Sequence, residues 1–130
     1  VYIDTPPAFN FFTLSALIAA DRVIVPFDCD IFSKRALQTL VQNILETRQD
    51  HNSDLLIEGI IVNQFDPRAN LPKEVVQTLV NEGYPVYDTK LSPSIIMKQS
   101  HHQSLPLIYL DAKHKLTQQY AALYQEIESK

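Results

Sequence analysis

The chain has 130 residues, 45% hydrophobic and 20% charged, with a formal net charge of -4. That length supports one domain around one core, and the acidic balance excludes a global basic field for holding nucleic acid. One cysteine, Cys29, excludes an internal disulfide framework and fits a reducing compartment; no apolar run reaches the ~18 residues of a membrane-crossing helix, and the first residues lack the basic and apolar regions of a signal peptide.

In chain order, "VYID" predicts a first strand over Val1–Asp4 that delivers a carboxylate to the rim of a sheet, just before Thr5, Pro6 and Pro7. A helix is expected from about Thr13, carrying Leu14, Leu17 and Ile18, and running to Asp21. "RVIVPF" (Arg22–Phe27) is a second strand, a continuous apolar run of the kind buried on both faces. Ser33 is the expected N-cap of a long helix in which Leu37, Leu40, Val41, Ile44 and Leu45 recur at helical spacing. A third strand is expected over Leu55–Asn63. Pro72 suits a first helical position, and helix Lys73–Glu82 should stop at Gly83.

A fourth strand over Tyr84–Leu91 is weakened by Pro85. A short helix over Ser94–Ser100, a polar irregular loop and a last helix from about Lys115 to Ile127 complete the chain. Strands alternating with helices predict an α/β fold: four parallel strands in one domain over residues 1–130, with helices on both faces. Ligands on such sheets bind beyond the carboxyl ends of the strands. Those ends carry Asp4, Asp28, Asn63 and Ser92.

Each of these residues has two readings. Asp4 at a strand end suits Mg²⁺ bound through water, or it caps the turn before two prolines. Asn63 can donate and accept, which suits the edge of a purine, or it is a turn asparagine. Thr13 caps its helix or faces a phosphate. Lys113, His114 and Lys115 contact a phosphate backbone or form a solvated loop. Asp28, Cys29 and Asp30 are not a metal set, because alternate residues of an extended segment point to opposite faces. His101 and His102 lack the spacing of a metal pair, and Cys29 lacks the partners of a nucleophile. The only glycines are Gly59 and Gly83, so no phosphate-cradling loop is present.

Three stretches in register carry a family likeness. "YIDTPPAFNFFTLSALIAADRVIVP", "LLIEGIIVNQFDPRANLPKEVV" and "SLPLIYLDAKHKLTQQYAAL" together resemble the ParA/Soj/MinD group of deviant-Walker P-loop ATPases, over essentially the whole chain. The partition branch fits better than the membrane-bound one, because the terminal helix has no amphipathic membrane face. The resemblance implies a partial P-loop NTPase fold, a three-layer α/β/α arrangement, and an ATP-dependent switch that dimerises in plasmid or chromosome partitioning. It implies Asp4 as the Walker B aspartate near Mg²⁺, and Thr5, Pro6 and Pro7 as the switch sensing the γ-phosphate. It sets Asn63, Ser92 and Pro93 beside the base.

The resemblance further implies a cytoplasmic, nucleoid-associated bacterial protein, a ParB-like partner protein and no membrane. It aligns Lys113 and Lys115 with a basic pair that contacts DNA, whereas Pro93 and Ile96 stand where relatives carry DNA-binding arginines. The Walker A motif belongs upstream of D-x-P-P, outside this sequence. The chain is therefore expected to be the C-terminal half of such an ATPase, to bind neither ATP nor Mg²⁺ tightly alone, and to self-associate through the uncovered side of its sheet. Two other roles remain open: a non-catalytic interaction module, and an ATP-dependent amidoligase like the cobyrinic acid diamide synthases.

Overall fold

The computed structural model describes residues 1–129. Its elements in order are α1 (Phe11–Ala19), β1 (Arg22–Asp28), α2 (Ile31–Asp50), β2 (Leu56–Asn63), α3 (Asn70–Asn81), β3 (Val86–Lys90), α4 (Ile96–Gln103), α5 (Leu107–Leu110) and α6 (Lys115–Glu128). The strands form a 3-stranded parallel sheet in the order β1-β2-β3. The α/β expectation holds, with one correction. Val1–Asp4 is not a strand: it is extended coil in which all four residues are exposed. Apolar residues alone do not make a strand, because its backbone groups need a neighbouring ladder, and no described strand pairs with this segment.

The sheet separates two cores. On one face Val25, Phe27, Ile60 and Val62 meet Leu17 of α1, Leu37 and Ile44 of α2, and Val75 and Leu79 of α3. On the other, Tyr87 and Leu91 meet Ile96, Leu107, Leu116 and Leu123 of the last three helices, with Ile24 and Ile61 packed alongside. Alternation along β1 and β2 sends neighbouring residues to opposite cores. Fully burying a side chain such as Ile44 or Leu79 stabilises the fold by about 1.5–3 kcal/mol. Gly59 permits the second core, because a Cβ there would run into the ring of the fully buried Tyr87.

Local chemistry sets the boundaries. Asp30, not Ser33, caps α2: its Oδ1 accepts from Ser33 N–H at 2.8 Å. Asn10, not Thr13, caps α1, accepting from the amides of Phe12 and Thr13, while Thr13 Oγ1 donates to Ala8 O at 2.7 Å. Helix α3 starts at Asn70, ahead of Pro72. It ends as expected at Gly83, with φ +86°. Gly83 N–H donates to Val80 O and Tyr84 N–H to Leu79 O, the paired bonds of a Schellman stop. The predicted irregular loop after residue 100 contains the last part of α4 and all of α5.

The two edges of the sheet differ. Leu56 N–H donates to Asp21 O and Cys29 N–H to Asn63 O, so the odd-numbered residues of β1 bond to β2 and the even-numbered ones face outward. Pro26 lies on that outer side, where its missing N–H costs no ladder bond. At the opposite edge, the Glu126 carboxylate of α6 accepts from the amides of Asp88 and Thr89 at 2.7 and 2.9 Å.

Candidate functional site: a cleft at the carboxyl ends of the strands

Asn63 ends β2 beside Asp28, which ends β1. Its Nδ2 donates to Asp28 Oδ1 at 3.1 Å. Gln64 follows with φ 55°, a left-handed turn that takes the chain off the sheet. Phe65 N–H then donates to Leu91 O, and Leu91 N–H to Val62 O, both at 2.9 Å. This tie brings the exits of β2 and β3 together and sets Ser92 near Asn63. From α6, Gln119 holds Ser92 twice: its Oε1 accepts from Ser92 N–H, and its Nε2 donates to Ser92 Oγ, each at 2.8 Å.

Together these elements form a cleft of about 230 Å³, lined by Asn63, Gln64, Ser92, Ser94, Met97, His101, Leu116 and Tyr120. Burial pushes the Tyr120 phenol pKa up, so at neutral pH Tyr120 is an uncharged aromatic wall. Met97 and Leu116 add apolar surface. Most of the lining is polar, from Asn63, Gln64, Ser92, Ser94 and His101, so the cleft offers hydrogen-bonding groups beside a smaller apolar part. Two of the three residues expected at a base, Asn63 and Ser92, meet here; Pro93 is exposed and not among the lining residues. Met97, Gln119 and Tyr120 join the site without a sequence signal, since each sits within a helical pattern that reads as surface or core, and His101 joins it from a stretch that reads as irregular loop.

The other expected residues lie apart. Asp4, Thr5, Pro6 and Pro7 are exposed in the N-terminal coil, outside the lining of the cleft. Lys113 and Lys115 are exposed around the start of α6, where His114 Nδ1 accepts from Leu116 N–H at 3.0 Å as the cap. Among the described residues, no three His, Cys, Asp or Glu side chains gather as a metal site. In the Asp28, Cys29 and Asp30 run, Cys29 Sγ donates to Pro72 O at 3.4 Å. Asp4, the residue expected near Mg²⁺, is exposed and joins no such group among the described residues, so by itself it would meet the ion through water.

A family model described as "AAA domain" matches residues 1–57. A chromosome partitioning protein ParA of Myxococcus xanthus is 33% identical over 98% of this chain. The ParA of Caulobacter vibrioides is 30% identical over 100% of it. The chain belongs to the ParA/Soj family of P-loop ATPases. It spans 45% and 49% of the length of those two ParA relatives, about half. The sporulation initiation inhibitor Soj of Bacillus subtilis is 27% identical over 98% of the chain and is matched over 51% of its own length.

Solved structures share the fold. A cobyrinic acid a,c-diamide synthase from Mycobacterium smegmatis, solved with an ATP analogue and magnesium, superposes with a TM-score of 0.64 at 27% identity, covering 70% of this chain and 37% of that one. The same enzyme with ADP and magnesium matches 85% of this ParA-family chain and 47% of its own, at a TM-score of 0.64 and 23% identity.

Proposed function

We propose that this chain carries the base-binding half of a ParA-type ATPase, a nucleotide-dependent dimerisation switch for positioning plasmids, chromosomes or other cargo. The observation that carries this reading is the convergence of Asn63 and Ser92 on one cleft at the carboxyl ends of a parallel sheet. The cleft takes the base. Asp4 contributes to holding Mg²⁺ through water, and Thr5, Pro6 and Pro7 respond to the γ-phosphate. Catalysis of phosphoryl transfer is mostly positioning and charge stabilisation, and this chain has no phosphate loop to supply it. The switch acts as a homodimer with a ParB-like partner protein, in the cytoplasm and on the nucleoid.

Lys113 and Lys115 are the candidate DNA contacts. Two cations at the start of α6 oppose the helix dipole, so helix stability does not explain their placement. Replacing both with alanine should weaken non-specific DNA binding and flatten its salt dependence by about 0.9 log unit per lost phosphate contact; an unchanged slope in a filter-binding titration would exclude the pair. For the nucleotide switch itself, the test is turnover. In the intact protein, Asp4→Ala should abolish ATP hydrolysis. Steady hydrolysis by the 130-residue chain alone that survives Asp4→Ala would refute this reading.

The superposition on cobyrinic acid a,c-diamide synthase favours a second reading, an ATP-dependent amidoligase. Glutamine-dependent amide formation coupled to ATP consumption, with no response to DNA, would select it. A third role, an interaction module that works without nucleotide, is selected if the intact protein dimerises equally with and without ATP.

A further inference from the structure

We propose that a bulge in β3, together with Glu126 and Lys90, is a clasp that closes this edge of the sheet to strand pairing with a second copy of the chain. The inference stands apart from the nucleotide reading. It begins with register. Ile60 of β2 faces Val86 and Val62 faces Lys90, so β3 advances four residues, 86 to 90, while β2 advances two, 60 to 62. The extra residues make the bulge. Consecutive amides of a regular strand point to opposite sides. Here the amides of Asp88 and Thr89 both donate to one carboxylate, Glu126, at 2.7 and 2.9 Å. Successive N–H groups turned to one side make a nest for an anion, and α6 supplies the anion.

The carbonyls of the same stretch are taken by a cation. Lys90 Nζ donates to Tyr87 O and Asp88 O. Burial pushes the Lys90 ammonium pKa down, while the charges of Asp88 and Glu126 push it back up. β3 is the terminal strand of the described sheet, and an open terminal strand is a template for pairing with another chain. Such pairing needs N–H and C=O groups that are free along a straight strand. β3 is bent at the bulge, and two amides and two carbonyls there are already bonded to charged side chains of its own fold. An incoming strand would displace both charges and strip them of these partners, which is costly.

The test places a reporter on the edge itself. Asp88→Cys puts a thiol at an exposed position of the bulge and leaves the backbone amide in place. The intact protein carrying it is oxidised without nucleotide, and disulfide-linked dimer mapped to that position is measured by mass spectrometry. With the clasp intact, little should form. Adding Glu126→Ala and Lys90→Ala should raise the yield about tenfold and speed hydrogen exchange at the Thr89 amide. Glu126→Gln, which keeps an accepting oxygen and the packing of α6, should raise it less, and it carries the test if the other variant does not fold. Efficient linkage with the clasp intact, or no rise in a folded variant, overturns the proposal.

Discussion

Cys29 shows how much one residue's setting decides. It is 8% exposed. Burial, followed by the charge of Asp30, pushes its thiol pKa up, against a smaller opposite effect of Lys90. Reactivity needs the thiolate, so iodoacetamide at neutral pH should leave Cys29 unmodified in the native chain and label it in denaturant. Rapid native labelling, followed by mass spectrometry, would show this part of the core to be open. Gly59 is constrained from the other side. Gly59→Ala pushes a methyl group into the Tyr87 ring and should destabilise the chain by about 1–3 kcal/mol in denaturant melts. Asn63 and Ser92 were legible in the sequence because strand ends on a parallel sheet are where ligands go. Gln119 was not. Nothing in the sequence separates it from Gln118 next to it, whose Nε2 donates to Ala112 O instead; only the folded position of α6 gives Gln119 its role.

At the scale of elements, the helix ends were the least legible feature, because several residues near each end can cap. Ser33 and Thr13 are good caps by type, yet Asp30 and Asn10 hold the bonds. The end of α1 depends on a distant residue: Asn52 Nδ2 lies within hydrogen-bond distance of Leu17 O, Ile18 O and Ala20 O, at 3.0, 3.1 and 2.7 Å. No local pattern reveals a cap 32 residues away along the chain. Asn52→Ala strands these carbonyls and should cost about 1–3 kcal/mol, read as a lower midpoint in urea. Strands β1 and β2 were readable to within about one residue at either end, because buried parallel strands are continuous apolar runs, whereas β3, with Asp88, Thr89 and Lys90, was readable only to within about two.

At the scale of the molecule, the miss at Val1–Asp4 and the hit at β1 share a cause. A strand exists only in company, and sequence gives no direct sign of which strands are neighbours. The outer edge of β1 is the counterpart of that miss. It carries outward-facing backbone groups between Arg22 and Asp28, interrupted at Pro26, whereas the β3 edge is covered by Glu126. Unguarded edges invite pairing with another chain. We therefore expect the 130-residue chain to associate as its concentration rises, with a mass by light scattering above its 14.8 kDa. A wild-type mass that stays monomeric at high concentration contradicts the expectation.

Helix α6 has a mechanical consequence. Gln119 grips the rim at Ser92, Glu126 holds β3, and Glu128 accepts from the Tyr2 hydroxyl at 3.2 Å. At 1.5 Å per residue, Gln119 and Glu128 are about 14 Å apart along one stiff rod. A tilt forced on α6 at the cleft is felt at its far end, beside the segment that leads into Asp4. The helix is thus a lever with its fulcrum on the sheet, joining the cleft to the coil that carries Asp4.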